Sequence, residues 1–125
     1  MAKKEVKTDK APLPGGSYSH GLVVGNCIYV AGQAPNNPVT GKIPEGIEEQ
    51  TRQALTNVKN IIEAAGGTMD NVVKSTVYLV NLDDFKAFNE VYKSFFNPPY
   101  PVRAIAGCAL LLEGMLVEID VMAEL

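Results

Sequence analysis

Apolar residues recur along this chain at two periods, and each change of period marks an element. Ile47, Ala54, Leu55, Val58, Ile61, Ile62 and Ala65 share one face at helical spacing, which predicts an amphipathic helix. Glu48 and Arg52 fall four apart on its other side and are expected to pair. Gly66-Gly67 predicts where it stops. A second stripe, Leu82, Phe85, Phe88, Tyr92 and Phe95, predicts a helix that begins near Asp83-Asp84. Those carboxylates suit the positive end of a helix dipole. The stripe reads as core packing ahead of an aromatic ligand box, with Asn89 on the same helix but off its centre. Asn97-Pro98-Pro99 predicts the end of this helix.

Around the helices the apolar runs are short and β-branched. Tyr18 to Asn26 reads as strand and turn, Cys27 to Gln33 as the next strand, and Gly25-Asn26 as the hairpin turn between them. Val72 to Val80 is another strand. The small stretch Ala31-Gly32-Gln33-Ala34-Pro35 either lets a ligand reach the backbone at Gly32 or is a simple bulge or strand end. Pro99 to Leu111, turning at Glu113-Gly114 into Val117 to Val121, predicts a β-hairpin. Its first strand is almost wholly apolar, so both its faces are expected to be covered. One arginine, Arg103, interrupts it. A guanidinium stays charged, so a partner inside the fold or a ligand anion must meet it, unless the arginine snorkels to solvent from an edge strand.

Met1 to Lys10 is expected to be loose or an edge strand, and Ala11 to Ser17 a loop. The order is then β-β-α-β-α-β-β after a variable N-terminus. It predicts an α+β sandwich with two helices on one face of a mixed or antiparallel sheet. Two helices cover one side only, so the other side, with Ile105, Ala109 and Val117 or their neighbours, is expected to need a partner subunit. Pairing the last two strands about Glu113-Gly114 puts Arg103 opposite residues near Glu124. That is six positions, or roughly 20 Å, from Glu118, so no contact between Arg103 and Glu118 of one chain is expected.

At 125 residues the chain suits a single domain, residues 1–125. The net charge is -3 and no basic tract extends beyond Lys3-Lys4, which argues against nucleic-acid partners. No stretch is long enough to span a bilayer, and the start lacks an apolar core, so a cytoplasmic protein with no membrane partner is expected. Cys27 and Cys108 lie far apart and read as buried free thiols. With His20 the lone histidine, neither a metal site nor a metal cofactor is expected.

Ser19-His20 does not make a nucleophile pair, because neighbouring strand residues point to opposite faces. No dinucleotide or phosphate loop is present. Glu118 and Asp120 share one face of the last strand, as acid/base groups or as solvated charges. What remains is Arg103 for an anion, the Tyr18 hydroxyl near a flexible loop, open backbone at Gly32, and Glu118: a candidate site for a small acid.

Pro101-Val102-Arg103-Ala104, Leu111 and Val117-Glu118-Ile119 resemble the C-terminal signature of the RidA/YjgF family, also called L-PSP endoribonucleases. The likeness extends to Gly16-Ser17-Tyr18-Ser19, Val24-Gly25-Asn26, Ala31-Gly32-Gln33, Glu49-Gln50-Thr51-Arg52-Gln53, Val73-Lys74-Ser75-Thr76-Val77 and Asp84-Phe85 through Asn89. It implies a chorismate-mutase-like α+β fold and a homotrimer with sites in the clefts between subunits. It implies cofactor-free hydrolysis of enamine and imine acids, such as 2-aminoacrylate, to 2-oxo acids and ammonia.

By the same resemblance Arg103 clamps the substrate carboxylate, Tyr18 lines the pocket, and the backbone of Gly32 faces the substrate. Asn89 and Glu118 are polar pocket positions, with Glu118 positioning or activating water, and Ile105 is a wall position often held by cysteine. Ser17 stands where proline usually precedes the tyrosine, Ala104 where serine is frequent, and Ala106 where a bulky apolar residue is usual. The last two bear on substrate preference. Two other functions stay open: a trimer that binds small carboxylic acids as a sensor, and a ribonuclease or translation inhibitor. The pI of about 5.1 weighs against the last.

Overall fold

A computed structural model describes residues 2–125, so only Met1 of the N-terminal segment lies outside it. In chain order the elements are β1 (Lys3–Val6), β2 (Gly21–Val24), β3 (Cys27–Gln33), α1 (Ile47–Ala64), β4 (Val72–Leu79), α2 (Phe85–Lys93), β5 (Val102–Gly107) and β6 (Val117–Glu124). The strands make one mixed sheet in the order β1-β2-β3-β6-β4-β5, parallel only between β4 and β5. Both helices cover the same face. The charged N-terminal segment therefore supplies an edge strand, β1, ahead of the expected series.

The helical stripe of α1 is buried from Ile47 to Ile62 as its spacing requires. Its end is set by Gly66, at φ 93°, where the Gly67 N–H reaches back to the Ile62 carbonyl and the Gly66 N–H to Glu63. Arg52 does not pair with Glu48. It lies 3.6 Å from Glu49, three residues back, which is equally a neighbour on a helix surface. The β2–β3 turn is Gly25-Asn26, with Gly25 at φ 61°. The stripe of α2 is only partly core: Phe88 and Tyr92 are buried, whereas Leu82 and Phe85 are exposed.

The C-terminal hairpin does not form. β4, α2 and β5 make a β-α-β unit, which lays β5 parallel along β4 with Ser75 opposite Arg103. The chain then crosses the end of β4, where the Cys108 N–H bonds to the Leu79 carbonyl and the Val80 N–H to the Leu116 carbonyl. β6 thus enters on the other side of β4, between it and β3. Its strict alternation suits a central strand with one covered face: Val117, Ile119, Val121 and Ala123 are buried, and Glu118, Asp120 and Met122 point away from the helices.

β5 is instead the edge, and Val102, Arg103, Ala104 and Ala106 are all exposed, so its two faces are not covered within one chain. The residues that leave the outer face apolar are not Ile105 and Val117, which face the helices. They are Tyr29, Val73, Val102 and Met122. Both cysteines are free thiols, but Cys108 is exposed and Cys27 half-buried, because each sits at a strand end rather than in the core. Among the described residues no helix is long and apolar enough to cross a membrane.

Two bulges reset the faces of the strands. One in β4, between Val72 and Lys74, places Val72 and Ser75 together on the helix side although they are three apart. The other, between Val30 and Gln33, sets two residues of β3, Ala31 and Gly32, against the single residue Asp120 of β6, one extra residue in the strand.

Candidate active site

The expected site residues fall into two groups that do not meet within one chain. Arg103 and Asn89 form the first. Arg103 Nη1 donates to Asn89 Oδ1 at 2.8 Å, which joins β5 to α2. The guanidinium lies over three rings of α2, with its carbon 4.7 Å from the centroid of Tyr92, 5.6 Å from Phe85 and 5.9 Å from Phe88. Among the described residues no carboxylate pairs with Arg103, so the internal ion partner that a strand arginine calls for is absent. Arg103, Asn89, Tyr92, Lys93, Tyr100 and Pro101 line a pocket of about 410 Å3. Ile105 points to the same side of β5 but packs half-buried on the core, outside that lining.

Tyr18, Gly32 and Glu118 form the second group, in a pocket of about 470 Å3 that His20, Leu111, Leu112 and Met115 also line. Gly32 sits in the β3 bulge directly against Glu118. A Cβ built there would lie 2.6 Å from Glu118 Oε2, so the carboxylate occupies the space that any side chain at this position would need. Glycine is required here for room, not for an unusual backbone angle. The Tyr18 hydroxyl accepts from the Gly15 N–H at 3.2 Å and is half exposed at the tip of its loop. His20, buried, shares a hydrogen bond between Nδ1 and the Pro12 carbonyl at 3.1 Å and anchors that loop.

Arg103 and Glu118 form no ion pair, but the reason is not a long hairpin offset. Arg103 is in the row Val121–Ser75–Arg103 on the helix face, and Glu118 in the row Glu118–Tyr78–Ala106 on the outer face. Ala104 and Ala106 also belong to the outer face, away from the Arg103 pocket, so their small size leaves that pocket unchanged.

The electrostatics of the second group make the Glu118 carboxylate a stronger base than a free one. Burial pushes its carboxyl above the usual range, and the Asp120 charge on the same face adds to the effect. Asp120 is raised chiefly by burial, partly offset by the Tyr78 hydroxyl and the Lys74 charge. Tyr78 in turn is raised, first by the charge of Asp120. Among the described residues no group of three or more His, Cys, Asp or Glu is arranged to hold a metal ion.

Two buried amides of α1 shape this pocket, and the hydrophobic pattern gave them no role. Gln50 donates to the Pro44 and Gly114 carbonyls and accepts from the Leu116 N–H, which fixes the crossing between β5 and β6. Asn57 donates to the Ala34 and Asn36 carbonyls and accepts from Gln53, which fixes the chain after the bulge. A polar residue on the buried face of a helix was the available signal, since such a group is kept only when it is satisfied.

A family profile described as Endoribonuclease L-PSP matches residues 8–125. The chain is 41% identical over 124 residues to a 2-iminobutanoate/2-iminopropanoate deaminase of Capra hircus, covering 98% of this chain and 90% of the relative. The crystal structure of RidA from the Antarctic bacterium Psychrobacter sp. PAMC 21119 superposes with a TM-score of 0.94 at 41% identity, covering 98% of this chain and 99% of that one. E. coli TdcF, solved with bound serine, gives a TM-score of 0.92 at 38% identity, with coverage of 97% and 98%.

Proposed function

The chain belongs to the RidA/YjgF family, described as Endoribonuclease L-PSP, and from that membership we propose that it is a 2-iminobutanoate/2-iminopropanoate deaminase. It hydrolyses 2-enamine and 2-imine acids, among them 2-aminoacrylate, to 2-oxo acids and ammonia without a cofactor. One observation carries the reading. The Arg103 guanidinium is held against an aromatic face, gives one N–H to a neutral amide, has no carboxylate partner among the described residues, and opens on a pocket. Its remaining donors match the planar, two-point geometry of a carboxylate.

With the carboxylate on Arg103, Asn89 and the Ile105 wall bound one side of the substrate, and Tyr18 and the Gly32 backbone the other. Glu118 takes a proton from water as the oxygen adds to the imine carbon. It hands that proton to the nitrogen, giving a carbinolamine, and then carries a second proton from the new hydroxyl to the amine, so that ammonia leaves as the C–O bond becomes the ketone; an enamine first gains a proton at its terminal carbon and loses one from nitrogen to become the imine. One water is consumed per turnover, and its oxygen stays in the 2-oxo acid.

Because Arg103 and Glu118 face opposite sides of one sheet, a molecule of this size cannot meet both in the same subunit. The site is completed by a second copy, in the clefts of a homotrimer, and the apolar outer face at Tyr29, Val73, Val102 and Met122 is what the neighbour covers. The bound serine of TdcF favours a second reading, a small-carboxylate sensor on the same clefts.

The experiment generates 2-aminoacrylate in situ with a serine dehydratase and follows its loss with and without this protein. Arg103→Ala and Glu118→Gln chains, each inactive alone, are then unfolded and refolded together. Random pairing across a closed ring restores about one quarter of the sites. Wild-type acceleration with restored activity in the mixture supports the reading. Carboxylate binding without acceleration leaves the sensor, and mixed trimers without activity remove the shared site.

Gly32→Ala follows from the same geometry. The methyl displaces the flexible end of Glu118 and not backbone, so the melting temperature is expected to hold within a few degrees. Turnover is expected to fall roughly 10- to 100-fold, because a displacement of about 1 Å at a reacting group costs that much. Unchanged kcat/KM would separate the carboxylate at this place from the chemistry.

A further inference from the structure

The Arg103 guanidinium rests on a ring that is itself tied down. Tyr92 is 3% exposed, and its hydroxyl shares a hydrogen bond of 2.6 Å with the hydroxyl of Ser75, which is fully buried. Ser75 is also the residue of β4 directly opposite Arg103 in the parallel ladder. A closed circuit results: β5 holds the Arg103 backbone beside Ser75, Ser75 holds Tyr92, and the Tyr92 ring lies 4.7 Å under the guanidinium carbon. Asn89, one turn before Lys93 on the same helix, fixes the in-plane orientation through its 2.8 Å acceptance from Nη1. Stacking on one face and one bond at one edge hold the guanidinium beside the pocket that Arg103 lines.

The chemistry of the pair argues that packing alone does not explain it. A buried Ser–Tyr hydroxyl pair in an apolar core adds little net stability, and replacing both partners by apolar groups of the same shape can be nearly neutral. Phenylalanine would fill the ring's space, and Phe88 and Phe96 stand at 5.4 Å and 4.7 Å from Tyr92 in the same column. What the hydroxyl pair adds is a fixed ring position relative to the strand that carries Arg103.

We propose that Tyr92, tethered by Ser75, is a positioning residue that holds the Arg103 fork in the orientation that receives a carboxylate. This rests on Arg103 being the carboxylate clamp. A tilt of the fork misplaces the whole substrate, since a small acid has no other charged handle.

The test uses Tyr92→Leu, Tyr92→Phe and the double variant Ser75→Ala/Tyr92→Phe in the full chain. Readouts are kcat and KM for 2-aminoacrylate, pyruvate binding by calorimetry, the order of the Arg103 Nε–Hε group by NMR relaxation, and thermal melting. Tyr92→Leu is expected to loosen Arg103 in the NMR measurement and weaken pyruvate binding about tenfold, with Tyr92→Phe, which keeps the ring face but loses the tether to Ser75, restoring only part of the binding. The double variant, which orphans no hydroxyl, is expected to melt like the wild type yet lose roughly tenfold in kcat/KM. In an Arg103→Lys background, Tyr92→Leu is expected to cost nothing further.

Penalties that add in that background, or a double variant with normal kcat/KM and an ordered Arg103, overturn the positioning role while leaving the clamp standing. If Arg103→Lys itself leaves pyruvate binding and turnover unchanged, the clamp fails, and the positioning role fails with it.

Discussion

Arg103→Lys is expected to cut turnover of 2-aminoacrylate about 100-fold while the protein stays folded and keeps its oligomeric size. Lysine keeps the charge but presents it as a point on a flexible stem, without a planar fork. It cannot donate to Asn89 and present two parallel N–H groups to a carboxylate at once, and it stacks less well on Tyr92. The carboxylate is then held without a fixed orientation, and the imine carbon drifts from the water that must attack it. The alternative is an arginine kept for structure. The edge position of β5, with Arg103 exposed and free of any ion pair among the described residues, predicts little loss of stability on substitution. Turnover, melting temperature and sedimentation are therefore measured together. Loss of activity only in step with unfolding, or turnover near normal, would remove Arg103 from the substrate.

Glu118→Gln is expected to lose 10²–10⁴-fold, roughly what a positioned general acid–base contributes. It is also expected to gain stability at neutral pH. Burial and the Asp120 charge raise the Glu118 carboxyl in the folded chain above its value in the unfolded one. The folded state thus binds the proton more tightly, so stability from this group is fully present below the unfolded pKa and is lost as pH rises through the folded one. Glutamine, neutral throughout, escapes that loss. The variant should melt higher than wild type at pH 7 to 8, and the two should converge below about pH 4, near the unfolded carboxylate value. The wild-type kcat/KM should fall on the acid side as Glu118 takes up its proton, and that limb should vanish in the variant. A variant that melts lower than wild type at neutral pH would place Glu118 in a structural bond. Retained turnover would pass the proton transfer to another group.

The sequence determined by itself what depends on a few neighbouring residues. The buried face of α1 follows from side chains three and four apart, and its end from Gly66. The β2–β3 turn follows from Gly25-Asn26, and the alternation of β6 from its own period of two. A lone arginine in an apolar strand was enough to mark Arg103. The resemblance to one family was also legible in the sequence, because its motifs are runs of adjacent residues.

Only the tertiary structure decided which strands lie side by side. Two apolar runs about a glycine turn are equally a hairpin or the two strands that flank a third, and nothing local separates them. Here β4 takes β5 by the β-α-β crossover and β6 by its other edge, which sends Arg103 and Glu118 to opposite faces of one sheet. The bulges at Ala31-Gly32 and after Val72 acted in the same way, since one extra residue turns every later side chain over. The Ser75–Tyr92–Arg103 circuit joins three elements, and the stripe on α2 could not distinguish a core tyrosine from one that carries a guanidinium. Periodicity is a property of one element, whereas a site is a property of the contacts between elements, and those are settled when the chain packs.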